Sequence, residues 1–213
     1  MTTSTPVPAG PRGLDQLMRL GAALPLAPGC ERFYFLRHGQ TERNARRIFQ
    51  APTEPLNATG MEQARQAAGV LAGEPIATIV CSDILRALDT AIEVASRHGL
   101  DPVPHAGLRE RNFGALIGSS SVGIDWACAP DGGETLETFV DRSRAGLAYA
   151  LAHTGPVLVV AHGGSLYVLA AVLGVVLTDA FLGNAQPLRF DRRAGAWRAT
   201  PLAAADGGAA NLA

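Results

Sequence analysis

Two histidines in this chain of 213 residues stand beside residue types that can handle a phosphate group. The first lies in Arg37-His38-Gly39, directly after the apolar run at residues 33–36. An arginine offers a planar set of donors that suits phosphate oxygens, an imidazole can attack or accept a proton, and a glycine lets backbone approach a ligand. The second histidine, His162, precedes Gly163 and follows the apolar run at residues 156–161.

Two further stretches supply a cation and a carboxyl group. Arg86 falls in the first turn of a predicted helix, and Glu110 falls in a predicted loop between two arginines. A neutral imidazole could attack phosphorus while guanidinium groups stabilise the equatorial oxygens and a carboxyl group protonates the leaving alcohol. Each residue also has a structural interpretation. His162 could be a hydrogen-bonded core histidine, and Arg86 and Glu110 could form ordinary ion pairs.

The elements that must position these residues alternate along the chain. Apolar runs predict strands near residues 32–36, 76–81, 156–161, 187–191 and 196–199. Helical spacing of apolar residues predicts helices near 61–71, 84–95, 134–152 and 165–173. Thr59 and Glu62 form a capping-box pattern, so Thr59 is the predicted N-cap of the first of these helices. The pattern predicts one α/β domain with helices on both faces of the sheet, and ligands in such domains bind at the carboxyl ends of strands.

Composition narrows the class of protein. Hydrophobic residues make up 47% of the chain and charged residues 17%, with a net charge of −1, so we expect a globular protein with neither nucleic-acid nor membrane partners. All 18 basic residues are arginine, which excludes Schiff-base chemistry on lysine and a Walker-type phosphate loop. The 3 cysteines lack metal-ligand spacing, and the sequence carries no secretory signal or membrane span. A cytoplasmic location is therefore predicted.

The predicted organisation has three parts. Residues 1–29 are expected to form a flexible leader with a short helix near residues 14–20, residues 30–200 a single domain, and residues 201–213, rich in small residues, a loose tail.

The combination of motifs resembles the histidine phosphatase superfamily, which includes the cofactor-dependent phosphoglycerate mutases. The resemblance covers about residues 32–193 and implies a three-layer α/β/α sandwich around a mostly parallel, phosphoglycerate mutase-like sheet. The matching elements are Arg37-His38-Gly39-x-Thr41, Pro55-Leu56-x-x-x-Gly60, Ser82-Asp83-x-x-Arg86-Ala87, Arg109-Glu110-x-x-x-Gly114, Gly132-Gly133-Glu134-Thr135-Leu136 and His162-Gly163.

The resemblance implies a role for each matched residue. His38 would be the nucleophile that becomes phosphorylated, and Glu110 would protonate the leaving alcohol. The phosphoryl oxygens and the substrate would be held by Arg37, Asn44, Gln50, Arg86, His162 and Gly163. The sequence departs from the family at Gln50-Ala51, where a Gln-Gly pair is usual, and this affects the expected lining of the pocket.

The predicted function is a phosphomonoesterase that acts on a small phosphorylated substrate without metal or cofactor. A metal-dependent hydrolase is one alternative, but Arg37 and Arg86 would repel a cation. A phosphoglycerate mutase is another, although residues 119–135 contain no basic residue that could bind a second anionic group. A non-catalytic module that binds a phosphorylated ligand is the third.

Overall fold

A computed structural model describes residues 12–203 of the chain. The strands are β1 (Arg32–Arg37), β2 (Thr78–Cys81), β3 (Val103–Pro104), β4 (Val157–Ala161), β5 (Pro187–Arg193) and β6 (Ala196–Pro201). The α-helices are α1 (Leu14–Ala22), α2 (Glu42–Ala45), α3 (Ala58–Leu71), α4 (Leu85–His98), α5 (Leu136–Leu151) and α6 (Gly163–Leu173).

The strands form one mostly parallel sheet in the order β3-β2-β4-β1-β5-β6. β2 pairs in parallel with β3 and β4, and β4 pairs in parallel with β1. β5 is antiparallel to both β1 and β6. The predicted α/β class is confirmed.

Helices cover both faces of the sheet because successive side chains of the central strands point to opposite sides. Phe33 and Phe35 of β1 pack into a core with α1, α5 and α6. Tyr34 and Leu36, on the other face, pack against α3 and α4. All five residues of β4 are buried, as its apolar sequence predicts. The result is the three-layer sandwich that the resemblance implies.

The sheet brings the two motif histidines together. β1 and β4 are neighbours in register, with Arg37 opposite Ala161, so the residues that follow them emerge side by side at the carboxyl edge. The backbone N–H of His38 donates to the carbonyl oxygen of Ala161 at 3.0 Å. Two histidines about 120 residues apart in sequence therefore meet at one edge of the sheet.

The helix α1 differs from the flexible leader predicted for residues 1–29. Leu17 is fully buried in the core, and Gly21 lies against Ala171 of α6. Leu17 and Gly21 are one turn apart, so they lie on one face of the helix and dock together. Residues 1–11, and most of the tail predicted at 201–213, lie outside the described residues.

The N-terminus of α3 also differs from its prediction. The cap is Asn57, whose side chain accepts from the backbone N–H of Gly60 at 2.8 Å, so the helix begins before Thr59. Gly60 lies so close to the loop after β1 that a Cβ there would clash with the carbonyl oxygen of Gln40. A Cβ on Gly39 would clash with the carbonyl oxygen of Gly60. Because both positions are glycine, the first turn of α3 can pack closely against the loop that carries His38.

Two other features bear on the compositional predictions. Cys30, Cys81 and Cys128 are free thiols. Between residues 12 and 203, no helix combines the length and the hydropathy needed to cross a bilayer.

Candidate active site

The predicted site residues surround one pocket of about 780 Å³ at the carboxyl edge of the sheet. The pocket is lined by Arg37, His38, Asn44, Gln50, Arg86, Glu110 and Gly163. His162 lies directly beside it, with its ring centroid 5.2 Å from that of His38. Residues from six separate stretches of sequence thus converge on one place.

Hydrogen bonds on both ring nitrogens fix the tautomer of His38. Its Nδ1 lies 2.7 Å from the carbonyl oxygen of Gly39, which can only accept, so Nδ1 carries the proton. Its Nε2 accepts from Nε of Arg86 at 3.3 Å, and a guanidinium can only donate. Nε2 is therefore the unprotonated nitrogen and lies against Arg86, and an unprotonated nitrogen is what a nucleophilic imidazole requires.

The hydrogen bond to Ser82 favours the same tautomer in His162, with the proton on Nδ1. The Ser82 hydroxyl accepts from the backbone N–H of Ile84 at 3.3 Å, and its own proton is left for Nε2 of His162 at 2.9 Å. The proton of the neutral His162 ring then lies on Nδ1, which is buried and has no hydrogen-bond partner among residues 12–203. A buried donor of this kind is suited to an anionic oxygen.

Two buried guanidinium groups complete a cationic cup with His38 and His162. Arg86 is 3% exposed, and its Nη1 donates to the carbonyl oxygen of Ala51 at 3.1 Å. Arg37 donates through Nη1 to the carbonyl oxygen of Leu182 at 2.6 Å. Its Nε is buried and finds no acceptor within the described part of the chain. The cup presents positive charge without a carboxylate bonded to either arginine in that region.

Burial and the neighbouring cations keep both histidines neutral. Burial is the main cause that holds the pKa of His38 well below 6.5, and the charges of Arg86 and Arg37 lower it further. Burial is also the main cause that holds the pKa of His162 well below 6.5, followed by the charges of Arg86, His38, Arg37 and Arg142. Burial lowers the pKa of Arg86 to about 10, so this group remains a cation at neutral pH. The site therefore combines neutral imidazoles with charged guanidinium groups.

The carboxyl group of Glu110 is held against the cup by two backbone donors. Its Oε1 accepts from the N–H of Arg111 at 2.9 Å, and its Oε2 accepts from the N–H of Gly164 at 3.1 Å. A Cβ on Gly164 would clash with Oε1 of Glu110, so glycine at this position is what admits the carboxyl group. The predicted general acid thus has a fixed position beside His162 and Gly163.

Asn44 and Gln50 lie on the opposite side of the pocket and are linked through Thr41. The Thr41 hydroxyl donates to Oε1 of Gln50 at 2.7 Å and accepts from the backbone N–H of Asn44 at 3.0 Å. The side-chain Oδ1 of Asn44 is buried and unpaired among the residues described. Both predicted binding residues therefore line the pocket, and the replacement of the usual glycine by Ala51 leaves this arrangement possible.

Two supporting residues were not assigned these contacts from sequence. Ser82 belongs to one of the matched motifs but was given no role of its own in the site, yet it bonds to His162. Thr90 accepts from the N–H of Gly39 at 3.1 Å and donates to the carbonyl oxygen of Arg86 at 2.7 Å. A usable signal existed for Thr90, because it lies four residues after Arg86 and hence on the same face of α4.

The outer part of the pocket was harder to predict from the sequence. Four aromatic residues line it, and we call them the aromatic wall: Phe49, Phe113, Trp126 and Tyr167. Arg12 also lines the pocket, although it falls in the predicted leader. Its guanidinium donates to the carbonyl oxygen of Gly123 at 3.2 Å, and its carbonyl oxygen accepts from the N–H of Trp126 at 2.8 Å. These residues come from distant stretches with no shared motif.

The low pKa of His38 gives a direct test of the cup. We expect the substitution Arg86→Gln to raise the pKa of His38 toward 6.5, because it removes a positive charge that disfavours the imidazolium. An NMR titration of the His38 ring nitrogens would measure the change. Arg109→Gln is the matched control, since Arg109 lines the same pocket but is paired with Asp83. An unchanged or lower pKa of His38 in Arg86→Gln would contradict the proposed electrostatics.

Comparison with known proteins identifies the family to which the chain belongs. The profile of the histidine phosphatase superfamily (branch 1) matches residues 33–200. The glucosyl-3-phosphoglycerate phosphatase of Mycolicibacterium vanbaalenii is 36% identical over 166 residues, which span 67% of this chain and 73% of that protein. Agropine synthesis reductase of Rhizobium rhizogenes is 37% identical over 177 residues, or 78% of this chain and 40% of that protein. The chain spans about two fifths of the length of the first curated relatives it matches.

A solved structure agrees with the fold. Mycobacterial glucosyl-3-phosphoglycerate phosphatase in complex with VO3 superposes with a TM-score of 0.66 at 31% sequence identity. The superposition covers 81% of this chain and 97% of that chain.

Proposed function

Because the chain belongs to the histidine phosphatase superfamily, we propose that it is a phosphomonoesterase that works through a phosphohistidine on His38. The observation that carries this proposal is the state of His38. Its Nε2 is unprotonated and lies against the guanidinium group of Arg86, while a hydrogen bond to Gly39 holds the proton on Nδ1. Relatives and structural neighbours whose names describe phosphatases support the same reaction.

In the first half-reaction, Nε2 of His38 attacks phosphorus and the bond from phosphorus to the ester oxygen breaks. Glu110 gives its proton to the departing alkoxide, so that a neutral alcohol leaves. Negative charge on the phosphoryl oxygens is stabilised by Arg37, Arg86 and the Nδ1–H of His162. The charge gained by the phosphorylated imidazole is supported by the hydrogen bond from its Nδ1–H to Gly39.

In the second half-reaction, water replaces the alcohol. Glu110, now a carboxylate, takes a proton from the water as its oxygen attacks phosphorus, and the bond from phosphorus to Nε2 breaks. Inorganic phosphate leaves and His38 returns to its original tautomer. The reaction uses groups that the chain supplies and regenerates each of them.

The alternatives fit the site less well. Arg37 and Arg86 border His38, His162 and Glu110, and they would repel a divalent cation placed among those three groups. A mutase needs a second anion-binding position for the acid group of its substrate. Residues 119–135 carry no basic side chain. The buried Arg111 beside this segment is occupied by the carbonyl oxygens of Trp126, Cys128 and Glu134. We therefore favour transfer to water.

The substrate under this proposal is a small phosphorylated molecule, and the free cysteines favour the cytoplasm as the place of reaction.

To test the phosphohistidine mechanism, the protein is mixed with a phosphate ester radiolabelled in its phosphoryl group in the presence of EDTA. The reaction is then quenched in alkali, which preserves phosphohistidine. We expect continuous release of inorganic phosphate and label on the peptide that contains His38. Loss of activity in EDTA with recovery on adding a metal would overturn the proposal, as would phosphate release from an enzyme that never becomes labelled.

A further inference from the structure

The aromatic wall is a continuous row of rings that the phosphoryl chemistry does not use. The ring centroids of Phe49 and Phe113 are 4.2 Å apart, those of Phe113 and Trp126 are 5.9 Å apart, and those of Trp126 and Tyr167 are 6.1 Å apart. All four residues line the same pocket as His38. The row therefore runs from the loop that carries Gln50 to the helix α6, which begins directly after His162.

Aliphatic side chains extend this surface. Ile48, Ile84, Ile117 and Ile124 also line the pocket. Ile117 is 37% exposed. Isolated exposed apolar residues need no explanation, but several together around one cavity indicate an apolar ligand surface.

Two of the four arginines that line this part of the pocket are occupied by the protein itself. Arg109 makes two hydrogen bonds to the carboxylate of Asp83, and Arg111 donates to three backbone carbonyl groups. Arg12 and Arg47 are exposed residues of the lining. A polyhydroxy group placed against the aromatic wall would lose hydrogen bonds to water and regain few.

The volume of the pocket also indicates that the ligand extends beyond the phosphoryl group. A cavity of about 780 Å³ lies within the range that binds molecules of drug size, and a phosphoryl group fills only a small part of it. The rest of the space is available to the alcohol that the reaction releases.

We propose that the aromatic wall binds a flat apolar group carried by the leaving alcohol. The preferred substrates are therefore phosphate monoesters of alcohols that bear an aromatic ring, in preference to esters of polyhydroxy alcohols. This inference rests on the proposed phosphatase function, because it assigns the part of the substrate that lies beyond the phosphoryl group.

The test compares phenylethyl phosphate with glycerol phosphate. Both are esters of primary alcohols, so the two leaving groups need protonation to a similar extent. A difference in kcat/KM therefore reports on binding of the alcohol. We expect kcat/KM to be at least about 10-fold higher for phenylethyl phosphate, as burial of most of a phenyl ring predicts. Equal or higher kcat/KM for glycerol phosphate would overturn the inference while leaving phosphatase activity intact. Hydrolysis of neither ester would overturn both proposals.

Two variants locate the preference in the aromatic wall. Trp126→Ala removes a central ring, and Ile117→Ser changes a partly exposed side chain with little risk to folding. Each should reduce the preference for phenylethyl phosphate about 3-fold or more. Val122→Ser is the matched control, because Val122 is 59% exposed in the same segment and does not line the pocket. A preference unchanged in Ile117→Ser and Trp126→Ala, with thermal melting as in wild type, would contradict the assignment.

Discussion

Replacing His38 by alanine is expected to lower kcat for hydrolysis of an aryl phosphate at least about 10,000-fold, because the variant lacks the atom that bonds to phosphorus. The cationic cup would still bind phosphate, so the loss should appear in kcat far more than in KM. Steady-state release of inorganic phosphate, together with the alkaline quench for labelled protein, measures both consequences. The variant should show no phosphohistidine at any time point.

His153→Ala is the matched control for this experiment. His153 follows the helix α5, where its Nδ1 bonds to the carbonyl oxygen of Tyr149, and it does not line the pocket. Its replacement should leave kcat within about 2-fold of wild type, as expected for a surface change. A folded His38→Ala variant that kept a tenth of normal turnover would show that another group starts the reaction.

The substitution Glu110→Gln should lower turnover of an alkyl phosphate about 100- to 10,000-fold, because glutamine cannot donate the proton that a basic alkoxide needs. The amide has nearly the same shape and can still accept from the N–H of Gly164. The pocket should therefore remain assembled. Rapid-quench measurement of phosphoenzyme formation separates this step from the attack of water.

Dinitrophenyl phosphate provides the decisive comparison for Glu110→Gln, since its leaving group departs without a proton. With this ester the variant should form phosphoenzyme at close to the normal rate and then accumulate it, because the base for the second step is missing. Glu137→Gln, a change at an exposed carboxylate of α5, should affect neither ester. Equal slowing of phosphoenzyme formation with both esters would remove Glu110 from the role of general acid.

Much of the fold and the inner site could be predicted from local sequence. The uninterrupted apolar run before His162 is what a strand buried on both faces requires, and β4 is wholly buried. The same reasoning applies to β1 and His38. Once two such strands are parallel neighbours, the residues that follow them must lie at one edge. The convergence of His38 and His162 therefore followed from the strand predictions.

Features that depend on tertiary contacts were harder to predict. Thr59 satisfied a local capping pattern, yet Asn57 is the cap because α3 must pack its first turn against the loop that carries His38. The helix α1 was predicted only as a short helix within a flexible leader. Its stability comes from docking Leu17 into a core built by distant segments, which no local pattern reveals.

The aromatic wall shows the same limit for the outer site. Its four rings lie in four separate stretches, and each ring alone is compatible with an ordinary core position. Only the loop conformations bring them into one row. Motifs in the chain identify groups that act on phosphorus, because those groups have few acceptable identities, whereas many combinations of apolar residues can form a wall.

The position of Arg12 and Gly13 has a consequence for substrate preference. The profile shared by the superfamily begins at residue 33, yet these two residues pack against the loop at 123–127 that carries Trp126. Gly13 adopts a φ of 74°, and a Cβ there would collide with Asp125 and Ala127. If the aromatic wall binds the alcohol as proposed, substrate preference depends in part on residues that precede the region matched by the family profile. Substitutions in this segment are then expected to change which ester is preferred and to leave the reaction at His38 unchanged.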